Sequence, residues 1–275
     1  MDAHKQQVSR QFNRAVSTYD AHAVIQTKMA HQLLEGIGPL QEDVRVLEIG
    51  CGTGILTQLL IERYPHAQLT AIDIAADMVT ATRARLGDNE SVQFIVGDIE
   101  QINEHDHAPY DLIISSAVFQ WLRAPLTTLT KLNNMLTDDG ILVASTFGPQ
   151  TFQEMHEIFN EVKLEMGLAQ ASHGLPMEAA IAWLDYFQKS GLRNVSVMQK
   201  FERLIYPNCR AFLQSIKAVG ASYSEGSYPV RTTKVLLHEV MKRYDATFVT
   251  ENGVYATYET IEIYGNKCKV REAEV

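Results

Sequence analysis

Apolar positions change their spacing twice along the chain. Between residues 4 and 36 they recur at helical intervals, with Val8, Phe12, Ala15 and Tyr19 on one face and Val24, Ile25, Met29 and Leu33 on another. The glycines and proline of "EGIGPL" stop this region. From Val44 short apolar runs alternate with helical stretches. "VRVLEIG", "AQLTAIDI", "VQFIVGD", "YDLIISS" and, after a "TDDG" turn, "GILVAST" read as strands, and "ILTQLLIERYP", "AADMVTATRARL" and "LTTLTKLNNML" as helices. Such alternation predicts a parallel sheet wound by right-handed crossovers over residues 44–147. Past that point the pattern loosens. "TFQEMHEIFNEVKLEM" and "MEAAIAWLDYFQKSG" are amphipathic helices, the second ended by Gly191, where a helix C-terminus favours glycine. "NVSVMQKFERLIY" alternates like a strand, residues 208–247 are mostly helical, and "VYATYETIEIYGNK" is a closing strand. Without repeats or Pro/Ser linkers, the 275 residues read as a single domain, 1–275.

Composition narrows the class. With 46% hydrophobic and 21% charged residues the chain can fill a core. A formal charge of −9 argues against a general nucleic-acid binder. Cys51, Cys209 and Cys268 are far apart and odd in number, which suits neither a disulfide framework nor a CxxC metal site. The polar start "MDAHKQQVSRQFNRAV" lacks a signal-peptide core and no run is long enough to span a membrane, so a soluble cytoplasmic protein is expected.

The chemistry concentrates in "VLEIGCGTGIL". Glycine at this density is costly unless the backbone needs positive φ or a ligand comes close. The turn joins a strand to a helix, so its amides are expected to face a ligand at the carboxyl end of the sheet. A dinucleotide fingerprint, GxGxxG, would need glycine at position 55, which is Ile55. The pattern is instead ExGxGxG, from Glu48 through Gly50, Gly52 and Gly54. Asp73 ends the next strand, where a carboxylate accepts from ribose hydroxyls, and Gly97-Asp98 ends the third, near an adenine amino group.

Three acidic strand ends with this turn resemble the class I S-adenosylmethionine-dependent methyltransferases. The resemblance implies a doubly wound α/β fold with a mostly parallel seven-stranded sheet, N-terminal helices (1–40) as a lid, a cofactor-binding core (44–147), and a substrate cap (148–275) whose helices are inserted before the last strand. It places Glu48, Gly50, Cys51, Gly52, Gly54, Asp73, Ile74, Met78, Gly97, Asp98, Ile99 and Ser115 around S-adenosyl-L-methionine. Cys51 looks like a small filler, since nothing nearby would activate a thiolate. Met78 suits the face of adenine or ordinary helix packing, and Asp77 a solvated helix surface.

After the fourth strand stands "SSAVFQWL" in place of the proline- and aromatic-rich motif of nucleic-acid base methyltransferases. Gln120-Trp121 is reminiscent of small-acid O-methyltransferases such as those acting on trans-aconitate. "FNRAVSTYDAHAVIQ", "LVASTFGPQTFQEM", "SIKAVGAS" and "YETIEIYG", in this order, resemble the malonyl-acyl-carrier protein O-methyltransferase family over nearly the whole chain, residues 222–231 being least typical. The family implies methylation of a malonyl thioester carboxylate on an acyl-carrier protein or coenzyme A, priming pimelate assembly for biotin. Tyr19, His22, Gln120 and Trp121 are then the catalytic candidates, with Phe147, Gln11 and Arg14 beside them, Arg14 because guanidinium pairs bidentately with carboxylate. Packing serves equally well to explain Trp121 and Phe147, and His22 reads more readily as structural. An acidic carrier calls for a local positive patch, for which Lys200, Arg203, Arg210 and Lys217 are candidates on a chain expected to be monomeric. Other small carboxylic acids, a C-methyltransferase for a quinone-like ring, and a non-catalytic cofactor-binding scaffold stay open as readings.

Overall fold

A computed structural model describes residues 2–87, 89–106, 109–168, 174–221 and 230–267. Two helices come first, α1 (Ala3–His22) and α2 (Val24–Glu35), broken at Ala23. Asp2 fixes the start of α1 by accepting from the Lys5 amide at 2.8 Å. Then follow β1 (Arg45–Ile49), α3 (Ile55–Arg63), β2 (Gln68–Asp73), α4 (Ala76–Leu86), β3 (Val92–Val96), β4 (Tyr110–Ser116), α5 (Pro125–Asn134) and β5 (Leu136–Phe147). The remainder is α6 (Gln153–Glu165), α7 (Ala180–Lys189), β6 (Arg193–Tyr206), α8 (Cys209–Ala218), α9 (Val230–Thr247), β7 (Val249–Thr250) and β8 (Gly253–Asn266).

The strands form one sheet in the order β3-β2-β1-β4-β5-β8-β6, with the two-residue β7 pairing β8 beside this seven-stranded path. The first five are parallel, and β8 runs antiparallel between β5 and β6. The order reverses between β1 and β4, which opens a crevice at their carboxyl ends. One expectation needs correcting: "TDDG" is no turn between elements but lies inside β5. Tyr110 pairs Leu136 and Leu112 pairs Ile141, so residues 137–140 bulge out of the ladder. Residues 222–229, most of the least typical segment, and Cys268 lie outside the described residues.

Alternating strand positions serve opposite faces. Val46, Leu112, Ile114 and Val143 pack with Leu33, Leu56 and Leu60 of α2 and α3. Leu47, Ile113, Leu142 and Ile263 pack on the other face with Leu129, Trp183 and Phe187 of α5 and α7. A third cluster joins Phe147, Met155, Phe212, Tyr244 and Tyr258 beneath α6, α8 and α9, with ring pairs such as Phe152–Tyr258 at 4.9 Å. Burying each such large side chain contributes about 2–3 kcal/mol. The fold thus has a parallel half whose strands are aliphatic, with Trp183 and Phe187 among their helix partners, and an antiparallel half roofed by aromatic rings.

Candidate active site

The glycine turn earns its glycines by conformation. Gly50, Gly52 and Gly54 have φ of +76°, +55° and +89°. A Cβ on Gly50 would stand 2.1 Å from Val118 Cγ2, and one on Gly54 3.2 Å from the Thr82 Cα. A Cβ on Gly52 would meet nothing within 4 Å, so there the backbone angle alone demands glycine. The expectation that the turn's amides face a ligand needs revision. Gly50 and Cys51 N–H donate to the Ile72 carbonyl (2.7 and 3.1 Å), and Gly54 N–H to that of Cys51 (2.9 Å). Gly52 N–H donates to Asp73 Oδ2 at 3.0 Å. These bonds shape the turn and lock it to the end of β2.

Asp73 is fixed from both sides, since its Oδ1 also accepts from the Ala75 amide at 2.8 Å. Burial nevertheless raises its pKa to about 6, against those hydrogen bonds. Glu48 differs from expectation. It is fully buried beneath the turn and lines none of the cavities among the described residues. Its register, opposite Ala71 and Ile114, turns it away from the cleft that Ile49 lines. Among the described residues neither its carboxylate oxygens nor the Thr57 hydroxyl reach hydrogen-bond geometry, and burial raises its pKa to about 8, against the lowering influence of Thr57. Ser115 is likewise spent inside, donating to the Ile49 carbonyl at 3.0 Å, and its neighbour Ser116 lines the cleft instead.

A cleft of about 710 Å3, counting its part open to solvent, runs from Gly50, Gly52 and Asp73 past Ile74 and Met78 to Gly97, Asp98 and Ile99. A second chamber of about 1720 Å3 on the same measure is lined by Phe147, Phe152, Met155, Phe159 and Tyr258 among others. Phe12, Tyr19, Ala117 and Trp121 belong to both, and so form the passage between them. Tyr19 also borders a third recess with Gln26, Cys51, Thr53 and Ser116 at the glycine turn. At the passage Ala117 holds φ +58°, unusual without glycine, and its amide is tied to the Ser145 carbonyl at 2.8 Å.

A methyltransferase-domain family matches residues 40–253. The malonyl-acyl-carrier protein O-methyltransferase of Paenibacillus sp. is 37% identical over 96% of this chain and 99% of its own. That of Priestia megaterium is 36% identical over 94% and 96%. The chain belongs to this malonyl-acyl-carrier protein O-methyltransferase family. Solved structures share its fold: phosphoethanolamine N-methyltransferase 2 of Haemonchus contortus, determined with S-adenosyl-L-methionine, aligns at a TM-score of 0.62 with 13% identity over 98% of this chain and 61% of its own. The YcgJ protein of Bacillus subtilis aligns at 0.59, with 16% identity over 88% and 98%.

For a member of this family the substrate-side candidates divide sharply. Tyr19 and Trp121 stand at the passage, whereas His22 lies exposed at the edge of the chamber. Burial, then the charges of Asp73 and Asp20, push the Tyr19 phenol well above its ordinary range, so it is a hydrogen-bond donor at neutral pH. Gln120 lines the chamber, but its amide is committed at both ends: Nε2 donates to the Ala117 carbonyl and Oε1 accepts from Thr146, each at 2.8 Å. It clamps the passage. Arg14 is exposed, and neither it nor Gln11 lines a cavity among the described residues. Cys51 is buried, with its thiol pKa raised by burial, which leaves no thiolate. Gly54 packs on Thr82 and borders none of these cavities. Asp77 is exposed and its amide donates to Asn13 Oδ1 at 2.9 Å.

The four cations proposed as a patch are differently engaged. Lys200 pairs Glu262 at 2.7 Å on the sheet, and the Arg203 guanidinium covers the Tyr255 ring at 4.3 Å. Only Arg210 and Lys217, seven residues apart on α8, are exposed on one helix face, and Lys217 reaches the chamber. Sequence reasoning missed Lys5, Phe12, Ala117, Gln26 and His156. Of these only Phe12 carried a signal, its place on the apolar face of α1.

Proposed function

We propose that the protein transfers a methyl group from S-adenosyl-L-methionine to the free carboxylate of a malonyl thioester carried by an acyl-carrier protein. The observation that carries this reading is the passage of Phe12, Tyr19, Ala117 and Trp121 between a cleft with acidic strand ends and an apolar chamber. The cleft suits the cofactor by the chemistry of its donors and acceptors. Asp73, immobilised by two backbone amides, presents its carboxylate where ribose hydroxyls donate. Met78 and Ile99 offer apolar faces to the base, and Asp98 an acceptor to its amino group. Gln26 Oε1, buried and without a hydrogen-bond partner among the described residues beside the glycine turn, is an acceptor for the cofactor's ammonium end.

When bound, the cofactor supplies a sulfonium methyl, which a carboxylate oxygen takes in one displacement while the C–S pair returns to sulfur. A carboxylic acid of pKa ~4 is already ionised at neutral pH, so the chain need not remove a proton. Its residues position and dry the site instead. The Tyr19 hydroxyl donates to the carboxylate oxygen that does not attack, Trp121 and Phe12 exclude water, and the Gln120 clamp fixes Trp121 through the preceding turn. Among the described residues the chamber lining offers Lys217, the imidazoles of His22 and His156, and no arginine, and burial lowers the pKa of His156. Recognition of the malonyl carboxylate rests first on Tyr19, which lines both cavities at the passage. The resulting ester is a primer for pimelate assembly in biotin synthesis.

The test is incubation with labelled S-adenosylmethionine and malonyl, succinyl and acetyl thioesters on carrier protein and coenzyme A. Label on the malonyl thioester alone is expected. Transfer to aconitate and to none of the thioesters overturns the acceptor, and failure to bind S-adenosylhomocysteine in a calorimeter overturns the enzyme.

A further inference from the structure

Helix α1 lies across the cofactor cleft and is stitched to its rim at intervals of one to two helical turns. Ser9 Oγ donates to the Ile74 carbonyl at 3.0 Å, and Asn13 Oδ1 accepts from the Asp77 amide at 2.9 Å. Further along, Asp20 accepts from the Thr53 hydroxyl at 2.5 Å and pairs Arg85. The neighbouring face of the helix, Val8, Phe12 and Tyr19, lines the cleft.

One stitch is of a different kind. Lys5, only 5% exposed, reaches Asp98 Oδ1 at 3.2 Å and Glu100 Oε2 at 2.5 Å. A lysine is rarely buried unless paired, and here it separates two carboxylates that would otherwise repel. Glu100 has other partners, capping α5 by accepting from the amides of Arg123 (3.0 Å) and Ala124 (2.8 Å). Lys131 also stands nearby, but its ammonium donates to the carbonyls of Ile99 and Ile102. Asp98 depends more on Lys5. Its Oδ1 accepts from Lys5 and from the Glu100 amide (3.1 Å), while its Oδ2 takes no hydrogen bond among the described residues and Asp98 borders the cleft. The ammonium therefore fixes which oxygen is left for a ligand.

We propose that Lys5 is a positioning residue for the cofactor: through Asp98 it sets the acceptor that reads the adenine amino group, and because it belongs to α1 it makes that reading and the closing of the helix over the cleft one event. This rests on the assignment of the cleft to S-adenosylmethionine. With the latch in place, the adenine amino group donates to Asp98 Oδ2. Departure of the cofactor requires α1 to lift, which breaks the buried Lys5 pair at the edge of the cleft. Lys5 thus governs cofactor residence and base selectivity together, whereas Ser9 holds the helix without touching Asp98.

The experiment compares S-adenosylhomocysteine with S-inosylhomocysteine, in which a carbonyl replaces the amino group, by calorimetry and stopped-flow on the full chain. The wild type is expected to prefer the adenosyl compound at least about 10-fold, the worth of one discriminating hydrogen bond. Lys5→Met is expected to cut that ratio several-fold and to speed dissociation by roughly 10-fold with little change in association rate, a partition typical of lost contacts. Lys5→Arg restores most of both. Ser9→Ala speeds dissociation and leaves the ratio intact. The proposal fails if Lys5→Met leaves ratio and off-rate unchanged, if it tightens binding (the ammonium then occupies the adenine seat), or if Ser9→Ala lowers the ratio equally. Should Lys5→Met not fold, Lys5→Gln is measured against the same outcomes. A wild type that binds neither compound, or binds both alike, overturns the assignment of the cleft or of Asp98 instead.

Discussion

The parallel half of the sheet and the antiparallel half build their shares of the site from different materials. Around β1, β2 and β3 the cleft is set by backbone: the left-handed Gly50 and Gly52, Gly97, and a carboxylate held by two amides, with aliphatic side chains such as Ile74, Met78 and Ile99 beside them. Around β5, β8 and β6 the chamber is made of side chains, above all aromatic rings whose packing sets its shape. A cleft of the first kind admits one ligand and tolerates little change. A chamber of the second kind changes with each ring that lines it, and so is free to specify an acceptor within a shared fold.

The comparison breaks most visibly at Asp73. Asp73→Ala removes the proposed acceptor for the ribose and frees the Gly52 and Ala75 amides, so the Kd for S-adenosylhomocysteine is expected to rise about 100-fold, two charge-assisted hydrogen bonds' worth. Phe159→Ala, in the chamber, leaves that Kd within about 3-fold and raises KM for the malonyl thioester, since ring loss alters only the acceptor's walls. Calorimetry and initial rates decide it; equal effects on cofactor binding would erase the distinction between the halves.

Tyr19 belongs to both halves, and its removal sharpens where they meet. Tyr19→Phe keeps the ring that walls the passage and deletes the hydroxyl. The kcat is expected to fall about 10- to 100-fold, the loss of one hydrogen bond to a charged group, with cofactor Kd changed by less than about 3-fold. Rapid-quench measurement of methyl transfer tests it, and an unchanged kcat would return Tyr19 to a packing role.

The same contrast explains what could be read in advance. Glycines at a strand–helix turn and acids at strand ends are fixed by local sequence, so Gly50, Gly52, Asp73, Met78 and Asp98 were legible and all border the cleft or the recess beside it. Glu48 and Ser115 failed for a reason of register: each sits where its strand turns the side chain inward, one position from a residue that lines the cleft. Helix spacing gave the extent of α6 and α7 to within a few residues, and of the later helices only that residues 208–247 are mostly helical. It carried no word on which rings would converge, because Phe152 and Tyr258 meet across more than a hundred residues of chain. Lys5 was illegible for the same cause, a polar residue at a helix start whose partners lie ninety-odd residues away.

Glu48 offers a test of the parallel half without any ligand. Its carboxyl titrates at about 8 in the fold against an ordinary 4.5, so the native state holds a proton that the unfolded chain has released. Stability is therefore greatest below the lower value and falls as pH rises through the window to about 8, as Asp73, raised to about 6, also requires. Glu48→Gln removes the larger share. At pH 8 the variant's Tm is expected to exceed that of the wild type by roughly 5 °C, and at pH 5 to match it. Calorimetric scans across that range check the slope; parallel curves would mean that Glu48 is ionised at little cost.

The smallest effect is expected at the outer surface of the antiparallel half, where an acidic carrier would meet the enzyme. Arg210 and Lys217 lie on one exposed face of α8, about 10 Å apart at helical rise, with Lys217 at the chamber. Lys200 and Arg203 are engaged with Glu262 and Tyr255. The double variant Arg210→Glu/Lys217→Glu is expected to raise KM for malonyl carrier protein about 3- to 10-fold and to flatten its salt dependence, while leaving malonyl coenzyme A unaffected to within about 2-fold. Lys200→Ala and Arg203→Ala should change neither substrate's KM beyond about 2-fold, because surface charges already paired at home steer little. If the two pairs behave alike across a salt series, α8 is not the docking face, and the acceptor half owes its selectivity to the chamber's aromatic walls alone.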